Sequence, residues 1–500
     1  MPIANQSQAE TPLLDALIEC ANKYHAPFYA PGHKRGQGIT PKLADCFGSA
    51  VFRADLPELA ELDNLFAPQG VIQEAQQLAA AAFGAERTWF LVNGSTCGIE
   101  AAILATCATG DKIILPRNVH QSAIAALILS GAVPIFVTPE YNPVLDLAHS
   151  ITPDGVATAL EQHPDAKAVM MVYPTYYGVC GDVAAIAQLA HQYGIPLLVD
   201  EAHGPHFAFH PHLPTPALAS GADLSVQSIH KVLGAMTQAS MLHVQGSWID
   251  IDRLSKSLQL LQSTSPSYLL LASLDAARQQ MAMQGEQLMS NTLRLADAAR
   301  FQISQIPGLS VLEPAGSHGA APKTPGFFAL DRTRLTVTVS GLGLTGFEAD
   351  EILNQQLNVT AELPSLQHLT FIISLGNIEA DIAALVKAFT SLSKDYRRSS
   401  YPVPAPVSYE INRMVASGCL GLISPRDAFF SQKETLAVER SCNRISAELI
   451  CPYPPGIPIL MPGEVITPSA LKYLQQVLAM GGVISGCADS SLRTLKVVKG

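Results

Sequence analysis

The sequence predicts an α/β protein: a large domain on a mostly parallel sheet, then a small α+β domain and a C-terminal α+β region. Three observations carry this expectation. From Val71 to Tyr193, short apolar, partly β-branched runs alternate with amphipathic stretches of helical period, the pattern of a parallel sheet covered on both faces. Two passages rich in Gly, Pro or polar residues, GLSVLEPAGSHGAAPKTPG and SKDYRRSSYPVPAPVS, interrupt the later chain and read as boundaries. Five hundred residues allow about three folding units at roughly 150 residues each.

Composition narrows the class. Apolar residues make up 48%, enough for a large core, while charged residues make up only 15%. So low a charged fraction suggests that self-association hides part of the surface. A formal charge of −11 argues against a nucleic-acid partner and is compatible with a cationic substrate. No run of eighteen apolar residues occurs, and MPIANQSQAETP lacks the basic start and apolar core of a signal peptide, so neither a membrane span nor export is expected. Nine scattered cysteines, with no CxxC pair, fit reduced thiols in a cytoplasmic protein better than disulfides or a metal site.

Taken in order, Thr11–Tyr24 has a helical apolar pattern and leads into APFYAPGHKRGQGI, an extended, turn-rich arm, and then the acidic DLPELAELDNL. Val71–Phe83 reads as a helix ended by Gly84, and Thr88–Val92 as a buried strand. NGSTCGIEAAILATCATG then turns into a helix whose start suits an anion: Gly94 lets the backbone turn, Ser95 and Thr96 offer hydroxyls, and Gly98 keeps the start open. The plainer alternative there is an N-cap by Ser95 or Thr96. Lys112–Leu115, Val133–Val137 and Ala168–Tyr173 read as strands, His120 opens a helix, and Gly155–Glu161 and Asp182–Tyr193 read as helices. Thr175 and Tyr176 fall in a loop at the presumed carboxyl edge of the sheet.

Two further buried strands follow. Leu197–Val199 is stopped by Asp200 and Glu201, and Ala222–Ser228 is closed by Ser228, His230 and Lys231. Singly, such an acid is a turn or cap and such a lysine a surface charge. Together they place a carboxylate and an amine at strand ends, where open α/β sheets bind ligands. A carboxylate for a pyridine nitrogen and a lysine for a Schiff base are what pyridoxal phosphate asks of a protein. Beyond them, Ala239–His243 reads as a strand, Asp250–Leu261 and Leu269–Gln302 as helices. Arg334–Val339, Gly346–Leu357 and Leu369–Ile373 form a strand–helix–strand unit. PPGIPILMPGE holds too many prolines for a helix and reads as a rigid, extended, buried segment.

DEAHG followed by SIHK resembles the fold-type-I pyridoxal-phosphate enzymes. With the PGHK arm (Pro31, Gly32, His33, Lys34) and PPGIPILMPGE, the chain resembles, more narrowly, the ornithine/lysine/arginine decarboxylase family, from about Thr11 to Arg493. The resemblance implies an N-terminal arm over 1–70, a cofactor-binding large domain over 71–305, a small α+β domain over 306–392, a linker over 393–408 and a C-terminal domain over 409–500. No regulatory wing domain is expected before the arm. It also implies a catalytic set of Lys231, His230, Asp200 and His120. Lys231 would carry the cofactor, Asp200 face its ring nitrogen, and His120 stack on one ring face with Ala202 on the other. Ser95, Thr96, Ser228 and His230 would share the phosphate, His203 would join the cofactor contacts, and His230 would assist in proton delivery. Ser263 and Thr264 would reach the phosphate across a homodimer interface.

The activity implied is α-decarboxylation of a basic amino acid, tilted towards arginine by the missing wing, with lysine or ornithine possible. A transaminase on the same cofactor and a catalytically silent binding protein are the alternatives; intact Lys231 and Asp200 count against the latter. A cationic side chain needs an anionic partner. Glu464 in the proline-rich segment is the first candidate, then Asp55 and Glu58, with His33 as a further substrate contact.

Overall fold

The computed structural model describes residues 7–313, 324–396, 423–453 and 456–500. Residues 397–408 of the expected linker, the first part of the expected C-terminal domain (409–422), the middle of the first Gly/Pro-rich passage and two prolines of PPGIPILMPGE lie outside the described residues.

Seven strands make the central sheet: β1 (Arg87–Leu91), β2 (Lys112–Pro116), β3 (Val133–Val137), β4 (Ala168–Val172), β5 (Leu197–Asp200), β6 (Leu224–Gln227) and β7 (Ser240–Val244). Their order is β1-β7-β6-β5-β4-β2-β3. β2 pairs in parallel with β3 and with β4, Ile114 lying opposite Ile135 and Val169. β7 is the exception to the expected parallel pattern: it runs antiparallel to both β1 and β6. The chain from Gln227 to Ser240 contains only one helical turn, too short for a crossover helix, and a strand reached that way returns antiparallel.

The chain divides into two compact units, 1–105 with 200–289, and 106–199 with 290–500. In the first, α1 (Pro12–Asn22) starts at a buried clamp. Asp275 Oδ2 accepts from the Leu13 amide at 3.0 Å, and Arg278 donates to the carbonyls of Gln8 and Glu10 at 2.7 Å and to Asp275. Both side chains are fully buried, so each charge is held by its partner and by backbone groups. The acidic segment before α2 (Val71–Phe83) has a local use: the Asp63 carboxylate accepts from the amides of Gln69, Gly70 and Ile72 and so serves the orphan donors of that helix start. Gly84 ends α2 in the left-handed conformation.

The second unit holds β2, β3, β4 and two further cores. One is an antiparallel sheet through Arg334–Thr338 and His368–Ile372, covered by Gly346–Leu357 and Glu379–Tyr396, with Leu335, Val337, Leu369 and Phe389 at its centre. Gly346–Leu357 opens with a capping box between Thr345 and Glu348. The other gathers Val438, Ile450, Leu460, Leu474 and Leu495 around the strand pair Lys433–Ala437 and Thr494–Val498.

Candidate active site

β5 ends on Asp200, and β6 is followed by Ser228 and a single helical turn, α3 (Ile229–Val232), that carries His230 and Lys231. The Ser228 amide donates to the Ala202 carbonyl at 3.3 Å, which ties the two strand ends together. Asp200 is buried, and its Oδ1 accepts from the Ala202 amide at 3.2 Å. Burial pushes its carboxyl up, and the charge of Lys231 and the Ala202 N–H offset this only in part. Lys231 Nζ lies 3.1 Å from His203 Nε2. Asp200, Ala202, His203, Ser228 and Lys231 are thus gathered at one place. His230 lies beside Lys231 in α3, its Nδ1 on the Ala239 carbonyl at 3.0 Å.

Beside this cluster the helix α4 (Gly94–Thr106) begins. Gly94 has φ +74°, a conformation a side chain would strain. Ser228 Oγ donates to Ser95 Oγ at 2.8 Å, so two hydroxyls converge at a helix N-terminus, a natural place for a phosphate. Thr96 is exposed. Gly98 does something other than keep the helix start open: a Cβ there would lie 2.7 Å from both Leu91 Cδ1 and Val226 Cγ1. Its missing side chain lets the helix press directly on the sheet.

A buried polar chain lies under the cluster. The fully buried Glu201 carboxylate accepts from the Ala217 amide (2.9 Å), Ser225 Oγ (2.5 Å) and Gln227 Nε2 (2.9 Å). Gln227 Oε1 then faces His243 Nε2 at 3.1 Å, and His243 Nδ1 faces Thr88 Oγ1 at 2.8 Å. With the Gln227 amide donating to Glu201, His243 must carry its proton on Nε2 and accept from Thr88 on Nδ1. Burial holds His243 neutral, down to about 3, and pushes Glu201 up to about 7 despite its three donors. The network crosses β5, β6, β7 and β1 and fixes the spacing of the ends that carry Asp200 and Lys231. The sequence reading missed it. Its signal was present, since Gln227 and His243 interrupt otherwise apolar strands, where an unpaired polar group would be costly.

The remaining candidates have other partners. His33 Nε2 meets Asp55 Oδ2 at 3.0 Å and His33 Nδ1 accepts from the Gly36 amide, so these two arm residues are engaged with each other. Glu58 accepts from Asn64. Ser263 and Thr264 are exposed, and Ser263 Oγ caps the Ser265 amide. In the second unit His120 is the N-cap of Gln121–Ser130, its Nδ1 accepting from the Ser122 amide at 3.2 Å, and the Gln121 amide donates to the Gly456 carbonyl. Glu464 is paired with Arg117 at 3.0 Å, with side-chain exposures of 15% and 7%, and also accepts from the Met461 amide. Arg117 in turn donates to the carbonyls of Pro458 and Ile459. This is a latch for the proline-rich segment, and it gives Glu464 a partner within the chain. Thr175 is buried and accepts from the Val179 amide, a turn contact.

Residues 11–381 match the family model described as the Orn/Lys/Arg decarboxylase major domain, and residues 423–487 match its C-terminal domain. The chain belongs to the ornithine/lysine/arginine decarboxylase family. It is 40% identical to an arginine decarboxylase of Bacillus anthracis over 99% of this chain and 98% of that one, and 40% identical to one of Bacillus subtilis over 99% of each. A lysine decarboxylase of Pseudomonas aeruginosa is 26% identical over 93% of this chain and 75% of that protein. The fold agrees with the crystal structure of a Francisella novicida lysine decarboxylase, with a TM-score of 0.82 at 22% identity over 98% of this chain and 81% of that one. It agrees more loosely with a pyridoxamine-pyruvate aminotransferase of Mesorhizobium loti, TM-score 0.51 at 17% identity over 66% of this chain and 84% of that one.

The decarboxylase uses pyridoxal phosphate, and the residues of this site fit that group. Asp200 is a buried carboxylate whose burial its own neighbours do not offset, so a protonated pyridine nitrogen is a suitable counter-charge. The hydroxyls of Ser95 and Ser228 meet at a helix N-terminus suited to the phosphate, and Lys231 supplies the amine for the aldehyde.

Proposed function

We propose that this decarboxylase of basic amino acids acts on arginine, releasing carbon dioxide and leaving agmatine. The observation that carries the choice is the full-length 40% identity to proteins named arginine decarboxylases, against 26% for the lysine enzyme.

When bound, pyridoxal phosphate supplies an electron sink for the pair left at Cα when carbon dioxide departs. The chain's own residues do the rest. Asp200 would keep the pyridine nitrogen protonated, because a carboxylate beside it would stabilise the charged ring. Ser95 and Ser228 would bind the phosphate, with Thr96 and His230 flanking it, Ala202 would pack against the ring, and the family resemblance gives His120 as the stacking residue. Lys231 would hold the cofactor through its amine. Ser263 and Thr264, exposed in the single chain, suit a phosphate contact in a second copy, so the working form we infer is a homodimer. Among the described residues no helix is long and apolar enough to cross a membrane, and the scattered free thiols suit a reducing cytoplasm.

For the guanidinium, Glu464 in the proline-rich segment is the first candidate, and Arg117 already pairs with it. Asp55 and Glu58 are the next candidates, Asp55 meeting His33 and Glu58 accepting from Asn64. The test is release of labelled carbon dioxide from arginine, lysine and ornithine. Release chiefly from arginine supports the proposal. Faster release from lysine or ornithine would overturn the substrate, and a keto-acid product would overturn the reaction.

A further inference from the structure

Lys231 makes one short contact that the scheme above leaves unused. Its Nζ lies 3.1 Å from His203 Nε2, and His203 is 5% exposed. An ammonium only donates, and an imidazole nitrogen accepts only when it is unprotonated. The two facing atoms therefore share one proton and cannot each hold a full complement. Asp200 acts on the same amine from the end of β5, and its charge favours the ammonium. An ammonium has no lone pair and cannot attack a carbonyl. The His203 imidazole touches Nζ and can take the proton away.

The imidazole is also well placed to stay there. Its turn is pinned by the Ser228 amide on the Ala202 carbonyl and by the Ala202 amide on Asp200. Two ionisable groups nearby have partners of their own: Glu201 holds Ala217, Ser225 and Gln227, and His230 Nδ1 meets the Ala239 carbonyl.

We propose that His203 is the base for Lys231, taking a proton from Nζ when the amine bonds to the cofactor's aldehyde carbon and returning it when the substrate amine takes over that carbon. This rests on the decarboxylase reading. The step balances without an added reagent. Nε2 accepts one proton from Nζ, the freed pair forms the C–N bond, and the carbonyl π pair moves to oxygen. His203 passes its proton to that oxygen, takes the second proton from Nζ and passes it to the same oxygen, which leaves as water as the nitrogen pair closes the C=N bond. The amine and aldehyde have become an imine and water, and the imidazole is as it began. For release the same sequence runs in reverse. General base assistance of this kind contributes about 10²-fold or more.

The test uses the full chain stripped of cofactor and mixed with pyridoxal phosphate, following the rise of the visible absorption band. In the wild type the band should rise, and borohydride should fix the label at Lys231; a wild type with no band would overturn the decarboxylase reading itself. His203→Gln keeps an oxygen that accepts a hydrogen bond but takes no proton, and His203→Phe keeps the ring. With cofactor in excess both should still load, with the band rising about 10²-fold more slowly. Wild-type rates in both variants would overturn the proposal. A normal rate in the glutamine variant alone would reduce His203 to a hydrogen-bonding partner and overturn its role as base. A measurement on the wild type guards against misfolded variants: nitrogen-15 histidine NMR should show the titration of His203 shifting when borohydride fixes Lys231, and an unchanged titration would overturn the proposal.

Discussion

Replacing Glu201 by glutamine tests whether the buried chain beneath the site is held by a charge. Glu201 is fully buried and pushed from its ordinary 4.5 up to about 7. A carboxyl that is harder to ionise in the folded chain keeps its proton there at pH values where the unfolded chain has released it. Between pH 4.5 and 7 the folded state thus binds more protons, and the group's contribution to stability falls as pH rises. The interval of about 2.5 pH units at 1.36 kcal/mol each gives about 3 kcal/mol, lost by pH 8 relative to pH 4.5. Glutamine has no such dependence. Its amide nitrogen, however, must face either the Ala217 amide or the pair Ser225 and Gln227, leaving a donor unmatched at a cost of about 1–3 kcal/mol at all pH values. Relative to wild type, Glu201→Gln is therefore expected to be the less stable protein at pH 5 and to gain about 2.5 kcal/mol on it by pH 8. For 500 residues at about 2 cal/mol/K each, that relative shift is about 2.5 °C in Tm, measured by thermal melts at matched scan rate. Parallel curves for the two proteins from pH 5 to 8 would refute the reasoning.

Two further perturbations probe the parts around the site. Gly98→Ala puts a methyl 2.7 Å from Leu91 and Val226, so it should cost about 1–3 kcal/mol and loosen the phosphate end; a melt and cofactor retention on dialysis unchanged from wild type would contradict this. Arg117→Ala leaves Glu464 buried without its cation and should cost about 3–5 kcal/mol. Glu464→Gln with Arg117→Ala should recover part of that loss, and a double variant no more stable than the single would show that the ion pair is not the latch.

Much of the site was legible because its chemistry is carried by unusual residues at strand ends. Asp200 and Lys231 break apolar runs, and their neighbours Ser228 and Ser95 lie where hydroxyls were expected. The elements themselves were readable from hydrophobic period, α2 and Gly346–Leu357 to the residue. The antiparallel return of β7 was not, because strand direction depends on the connection and leaves no mark on the period of the strand. Nor could spacing show that His33 would pair with Asp55, or Glu464 with Arg117, since these partners are set by tertiary approach. The contact of His203 with Lys231 is of the same kind: a turn residue and a helix residue 28 positions apart, brought together only by the pairing of their strands.

In the loaded enzyme the Lys231 amine should bear the cofactor while Asp200 faces its ring nitrogen. Borohydride reduction of the pyridoxal-phosphate-loaded protein, followed by peptide mass mapping, tests it most directly. A single phosphopyridoxyl adduct is expected on Lys231, formed in the wild type and abolished in Lys231→Ala. An adduct on another lysine, or an unmodified Lys231 in protein that keeps its cofactor, would contradict it.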